Sequence, residues 1–551
     1  MPRLFGNYNE SLVKNGSIED NGCGKFNSYT TKALNAIKEL SVTHIWYTGI
    51  IAHSTCTDYT SYGIPKDHHA IVKGKAGSPY AIRDYYDVDP DLSEDISNRM
   101  QEFEELVKRT HDAGMKVIID FVPNHVSRSY HSTMKPMYID DLGHHDNEKV
   151  FFSQSNNFYY LPGQNLILHF GAQEEDFEYS EFPAKVTGNN CFNANPDRND
   201  WYETIKLNYG VNYLNGGSKH FSPISNTWIK MLDILLFWLD KGIDGFRCDM
   251  AEMVPVEFWS WVIPRIKSRK KVIFIAEVYN PSLYKDFIIN GKFDYLYDKA
   301  GMYDTLRNII CNKTSATEIS PCWQAIEDFK ENMLFFLENH DEQRIASDFF
   351  AGNAQIGFPG FTVIALLNSN PIMIYNGQEL GEKGMDEEGF SGKDGRTSIF
   401  DYWSIESIRR WANNGMFDGG LLNKEQLLLR DLYKKILMIA KNEKAISQGQ
   451  FYGLAYCNNN NPHFPSGQMT AFLRKYENEL IFVLINFDNK SYNIRVNIPK
   501  NAFDVLQIPD NTVSKVKELI YGENSICALT YSCSYQESMP SYSAKILKFN
   551  Y

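Results

Sequence analysis

The chain of 551 residues carries 55 Lys and Arg against 68 Asp and Glu, a net charge of −13. That acidic balance disfavours nucleic acid or an anionic membrane as a partner, because both demand a cationic footprint. With 43% hydrophobic and 22% charged residues the composition excludes intrinsic disorder, and the length calls for more than one domain.

Short apolar runs alternate with amphipathic helical patterns from the start. THIWYTGI (43–50) reads as a strand. From 97 to 113, Met100, Phe103, Leu106 and Val107 fall on one helical face. Gly114 supplies a stop, and KVIIDFV (116–122) follows as a buried strand. Residues 126–205 are aromatic, rich in Asn, Asp and Gly, and poor in periodicity; so long a connection is either functional or a small inserted domain. The strand-and-helix grammar resumes with an apolar helix at 226–240 (Trp228, Met231, Leu235, Trp238), closed by Lys241-Gly242. IDGFRCD (243–249), a helix at 256–268, KVIFIAE (271–277), NMLFFLE (332–338) and PIMIYNG (371–377) complete the run. Repeated β-then-α order predicts a parallel sheet, either open or closed into an eight-stranded barrel. Beyond 448, QMTAFLRKY, ELIFVLINF and YNIRVNI are strands with no helical period between them, which predicts a separate antiparallel β domain.

Nine cysteines without a C-x-x-C pair or zinc-like spacing read as reduced thiols. The N-terminal MPRLFGNYNESLVKNG lacks the basic start and apolar run of a secretory signal, and no apolar stretch approaches the ~18 residues that span a bilayer. A soluble, cytoplasmic protein is expected; nothing in the sequence fixes its oligomeric state.

Four strand-like runs end in acidic or polar residues. DFVPNH gives Asp120, Asn124 and His125; GFRCD gives Arg247 and Asp249; FIAE gives Glu277; ENHD gives His340 and Asp341. One acid after a strand is as easily a helix cap. The spacing is more telling. Asp249 and Glu277 are 28 residues apart, close to one βα unit of a barrel, and Glu277 and Asp341 are 64 apart, close to two. Asp120 precedes Asp249 by 129, one unit plus the aromatic insertion. The acids therefore fall in register at one end of a barrel, at the strand C-termini where active sites form. Acids crowded into one site cannot all ionise at their ordinary pKa, which suits glycoside hydrolysis with one ionised nucleophile and one protonated acid. Two-metal hydrolysis is the strongest competitor on residue types. Arg247, two residues before Asp249 on the same strand face, would compete with such a metal.

In this order the four strings resemble the signature regions of the α-amylase family of glycoside hydrolases (family thirteen). PYAIRDYYDVDPDL (79–92) is similar to that family's second-strand segment and IYNGQELG (374–381) to its eighth-strand end. KLNYG (206–210) takes the place of a further motif in an unusual form. The resemblance implies a (β/α)₈ TIM barrel with an inserted domain after strand 3 and a C-terminal antiparallel β-sandwich. The expected division is 1–125 and 206–447 for the barrel, 126–205 for the insertion and 448–551 for the sandwich.

The family roles transfer as expectations. Asp249 is the nucleophile, Glu277 the acid and then base, and Asp341 the third acid that grips the sugar ring. Arg247 orients Asp249 and keeps it anionic, His125 and His340 bind the sugar in the cleavage subsite, and Tyr80 stacks beneath it. Asp120 is architectural. The chemistry requires no cofactor. A structural calcium at Asn124 is a further expectation of the resemblance, with Asp197 and Asp200 as hard oxygen donors nearby. The oxygen-rich loop at 20–27, interrupted by Lys25, reads as a plain turn.

One departure bears on specificity. Three and four residues past Asp249, where many α-amylases carry Lys-His on the leaving-group side, stand Glu252 and Met253. GKDGRTSIFDYW (392–403), with Arg396, Phe400, Tyr402 and Trp403, either rims the cleft or packs a barrel helix. The function expected is retaining hydrolysis of α-1,4 links in starch- or glycogen-derived maltooligosaccharides. Transglycosylation on the same fold is the alternative enzyme, and a catalytically silent carbohydrate-binding protein the alternative of another class.

Overall fold

A computed structural model describes residues 1–168 and 179–551. Residues 169–178, part of the expected insertion, lie outside the described residues. Six strands form one parallel sheet in the order His44–Tyr47, Lys116–Phe121, Gly245–Cys248, Ile273–Ala276, Tyr295–Tyr297 and Met333–Leu334. A parallel bridge from Phe335 to Ile372 continues it into the PIMIYNG run. This is the TIM barrel, and its two faces follow from the two-residue period of a strand. Ile118, Ile275, Tyr297, Leu334 and Phe336 pack together inside. Val117, Ile119, Phe121, Phe246, Phe274 and Ala276 pack outward into the core shared with the helices.

The helices cover that outer face. Asn226–Asp240 buries Trp228, Met231, Ile234, Leu235, Trp238 and Leu239, the apolar stripe legible in the sequence. It ends at Gly242, whose φ of +92° is the left-handed conformation glycine adopts without a Cβ clash. Gly245 opens the next strand for a different reason: a Cβ there would meet Ile118 Cγ1 at 3.0 Å and the Ile273 carbonyl at 3.2 Å. The three central strands approach closely at that point, before they fan out toward the site.

The segment that resembles a second barrel strand does not enter the parallel sheet. Ile82–Val88 pairs antiparallel with Ile51–His53, and His44–Tyr47 lies directly beside Lys116–Phe121. The reason is its acids. Asp84 accepts hydrogen bonds from Ser132 and Thr133, Asp87 pairs with Arg99 at 2.7 Å, and Asp89 faces His53 at 3.3 Å. Buried carboxylates need such partners, and here the flanking segments supply them.

The C-terminal part holds a six-stranded antiparallel sheet and a separate pair, Tyr492–Val496 with Tyr535–Met539. Along Glu479–Asn486 the alternation divides two cores. Ile481, Val483 and Ile485 join the barrel core, while Leu480, Phe482 and Leu484 face the sandwich interior. Among the described residues no helix is long and apolar enough to cross a membrane.

Candidate active site

Strand register brings the acids together. Arg247 stands opposite Asp120 on one side and Ile275 on the other, and Cys248 stands opposite Ala276. Asp249 and Glu277 are the next residues of their strands, so they emerge side by side at the same level. The pairing carries past the strand ends: the Asp249 N–H donates to the Phe121 carbonyl at 2.9 Å and the Glu277 N–H to the Cys248 carbonyl at 3.1 Å.

One guanidinium ties the carboxylates. Arg247, fully buried, places Nη1 2.7 Å from Asp249 Oδ1 and 3.3 Å from Asp120 Oδ1, with Nη2 2.8 Å from Glu277 Oε2. Three rings wall it in, Trp46 and Tyr80 at 5.3 Å and Tyr297 at 5.6 Å from Cζ to the ring centre. A cation so enclosed is held by both ion pairs and π faces. Arg247 thus serves Glu277 as well as Asp249, which the sequence did not suggest. Burial pushes the Asp249 carboxyl well above the usual carboxylate range; Arg247 opposes that rise, and the nearby Glu277 and Asp120 add to it. Asp120 is likewise raised by burial against the pull of Arg247, and it accepts the Trp46 indole N–H at 3.0 Å.

Met250, immediately after Asp249, has a φ of +42°, a left-handed conformation that costs a non-glycine residue of order 1–3 kcal/mol. That turn aims its N–H at Glu277 Oε2, 2.7 Å away. The strain therefore fixes the acid next to the Asp249 carboxyl.

Asp341 is more open, with its side chain 42% exposed. Its Oδ2 lies 3.0 Å from His340 Nε2. Burial resists ionisation, yet His340, Arg247 and Arg396 together bring the carboxyl down to about 2. His340 is stacked on Tyr80 at 5.2 Å, and the two share a 2.6 Å hydrogen bond. His125 is buried beside Trp201, its ring centre 5.2 Å away, and burial with Lys206 and Lys73 drives its imidazole down to about 3.

Of the seven residues expected at the site, six are buried and Asp341 is partly exposed, and Arg247, Asp249, Glu277, Tyr80, His340 and Asp341 form one connected cluster. His125 joins from the neighbouring Asn124 turn. Trp46, Tyr297 and Tyr279 belong to the same cluster and were missed. The period of THIWYTGI puts Trp46 on the inner face and was the available signal for that residue.

A model of the α-amylase catalytic domain matches residues 18–452. The chain belongs to the α-amylase family. It is 23% identical over 465 residues to "Alpha-amylase 3" of Dictyoglomus thermophilum, covering 80% of each chain. It is also 23% identical over 446 residues to the cyclomaltodextrin glucanotransferase of a Bacillus species, covering 76% of this chain and 55% of that one. A maltogenic α-amylase structure from Thermotoga neapolitana superposes with a TM-score of 0.63 at 19% identity, over 99% of this chain and 97% of that one. This α-amylase-family enzyme acts on glycosidic bonds.

The calcium expected from the family does not fit the donors present. Asn124 Oδ1 accepts the Lys206 ammonium at 2.6 Å, and its Nδ2 donates to the Gly188 carbonyl at 2.8 Å. A buried lysine stands where a cation would have to bind. Asp197 and Asp200 spend their oxygens on a local turn, on the N–H groups of Asn199, Asp200 and Asp197 and on the Asn189 amide. The 20–27 stretch is not the plain turn expected: Asp20 and Asn21 close the short helix Ile18–Asn21 and Phe26 opens a 3-10 turn, while the Asn21 side chain is used by Val13 and Tyr402 and Lys25 donates to the Asp91 carbonyl.

The 392–403 segment divides between its two expected roles. Tyr402 and Trp403 are buried packing, with the Tyr402 hydroxyl on Asp91 at 2.6 Å. Arg396 is half-exposed and acts on Asp341. Glu252 turns its carboxylate onto the backbone after Glu277, where Oε2 accepts the N–H groups of Tyr279 and Asn280, each at 3.0 Å.

Proposed function

We propose that this protein is a retaining hydrolase of α-1,4-glucosidic bonds in soluble maltooligosaccharides. The observation that carries the reading is the single buried guanidinium shared by Asp249 and Glu277 at adjacent strand ends. A retaining enzyme needs its two carboxyl groups about 5–5.5 Å apart, and a shared cation holds them close without letting them repel.

In the first step Asp249 Oδ attacks the anomeric carbon as Glu277 gives its proton to the departing glycosidic oxygen. In the second, Glu277 takes a proton from water, whose oxygen attacks the same carbon and releases Asp249. Asp341, ionised and open to the cleft, grips the ring hydroxyls and strengthens its hold as positive charge develops. His340, His125 and Tyr80 line the cleavage subsite. The two carboxyls and water suffice, so no cofactor takes part. Nine unpaired cysteines agree with a reducing cytoplasm as the working compartment.

Proton NMR of the first product tests the reading. An α anomer released first, from maltoheptaose in preference to pullulan, is expected; an initial β anomer would overturn retention. Transfer products exceeding hydrolysis products would move the assignment to transglycosylation, the second reading.

A further inference from the structure

The two oxygens of Glu277 have different neighbours. Oε2 faces the barrel wall, taking the Met250 N–H at 2.7 Å and lying 2.8 Å from Arg247 Nη2. Oε1 meets the Tyr279 hydroxyl at 2.5 Å. An acid must deliver its proton from the oxygen that the wall does not hold, and that oxygen is Oε1. The phenol therefore sits on the working atom of Glu277. Tyr279 keeps its own proton, because burial and the Glu277 charge both raise its pKa, so it acts as the donor.

The backbone that presents the phenol is itself fixed. Glu252 Oε2 accepts the N–H groups of both Tyr279 and Asn280. One short stretch, 250–252, thus holds Glu277 through the Met250 N–H and holds Tyr279 through the Glu252 carboxylate. This gives a use to the residue at which the sequence departs from many relatives.

We propose that Tyr279 is a positioning residue for the acid Glu277, orienting its reactive oxygen, and that Glu252 fixes Tyr279 for that task. The inference rests on the role proposed above for Glu277. A phenol donating to a carboxylate favours the ionised form. Other groups facing Glu277 are Arg247 and Asp249 from one neighbouring strand and Tyr297 from the other. Asp341 and Arg247 also face the Tyr279 hydroxyl, and Tyr279→Phe leaves both side chains in place.

The test is the pH profile of kcat/KM for Tyr279→Phe on maltotriose, beside Glu252→Ala and Glu277→Ala. Losing one hydrogen bond to the ionised acid should move the basic limb of Tyr279→Phe upward by about half to one pH unit, with kcat reduced and KM little changed. Glu252→Ala should move the same limb in the same direction with the phenol intact, and thermal melts confirm folding of both. A basic limb within 0.2 unit of wild type (about the precision of such a profile) in Tyr279→Phe, beside an inactive Glu277→Ala, refutes the role of Tyr279 and spares that of Glu277. An active Glu277→Ala refutes the acid assignment itself.

Discussion

Neutralising Arg247 probes the balance of charge in the site. In Arg247→Gln the side chain still fills part of the pocket but the cation is gone, and Asp249, Glu277 and Asp120 lose their common partner. Unit charges at about 4 Å interact by about 4 kcal/mol at an effective dielectric constant of 20. At 1.36 kcal/mol per pKa unit that is about three units. Relaxation of the three acids and entry of water would reduce the effect on Asp249 to about one or two units. The sign is fixed: burial already raises the Asp249 carboxyl, Arg247 opposes that rise, and its loss raises it further. A nucleophile must be ionised, so the acidic limb of kcat/KM should move upward by one to two pH units. Activity below the limb should fall by about 10- to 100-fold. The assay is a pH profile on maltotriose, with circular dichroism at each pH to confirm folding. An acidic limb that stays in place, or moves downward, refutes the claim that Arg247 keeps Asp249 ionised.

Asp249→Asn should abolish turnover yet raise the melting temperature at pH 7. A carboxyl whose folded pKa is raised favours folding only when protonated, so its contribution is lost as pH rises through the folded value. The gain should shrink as the pH falls toward 4; a melting temperature lower than wild type at pH 7 contradicts it. Chelator or added calcium should leave the melting temperature unchanged, because Lys206 engages Asn124. Lys206→Ala, which strips a buried acceptor of its donor, should lower stability by about 1–3 kcal/mol in a denaturant melt. A calcium-dependent shift in the wild-type melt would contradict the lysine assignment. His340→Gln should raise the Asp341 carboxyl from about 2, since His340 is the main opposing charge, and weaken substrate binding at low pH first. A KM profile that stays flat against pH argues the reverse.

Much of the site was legible because barrel chemistry sits at strand ends and strand ends have sequence signals. The run GFRCD places Arg247 and Asp249 on one face by the two-residue period alone, and the fold adds only the register that puts Glu277 beside them. What the sequence could not supply is direction. Glu252 reads only as a departure from the Lys-His pattern until its carboxylate is seen turned onto the backbone of Tyr279 and Asn280. Tyr279 follows Glu277 by two residues, but its use depends on a 2.5 Å contact that no pattern encodes. The 79–92 segment is placed by its likeness to a family segment, and that likeness does not say which strand it pairs with: Ile82–Val88 lies antiparallel to Ile51–His53, with Asp84 and Asp87 tied to Ser132 and Arg99. Asn124 points to calcium until Lys206, 82 residues away in the chain, is brought to its side-chain oxygen.

The most direct measurement is a trap of the sugar on the enzyme. A fluorinated α-glucosyl fluoride that loses its anomeric fluoride in the first step and stalls before the second should leave one fluorinated glycosyl mass on the tryptic peptide of residues 248–265, localised by fragmentation to Asp249. The same mass on Glu277 or Asp341, or an enzyme inactivated without any adduct on that peptide, would contradict the account.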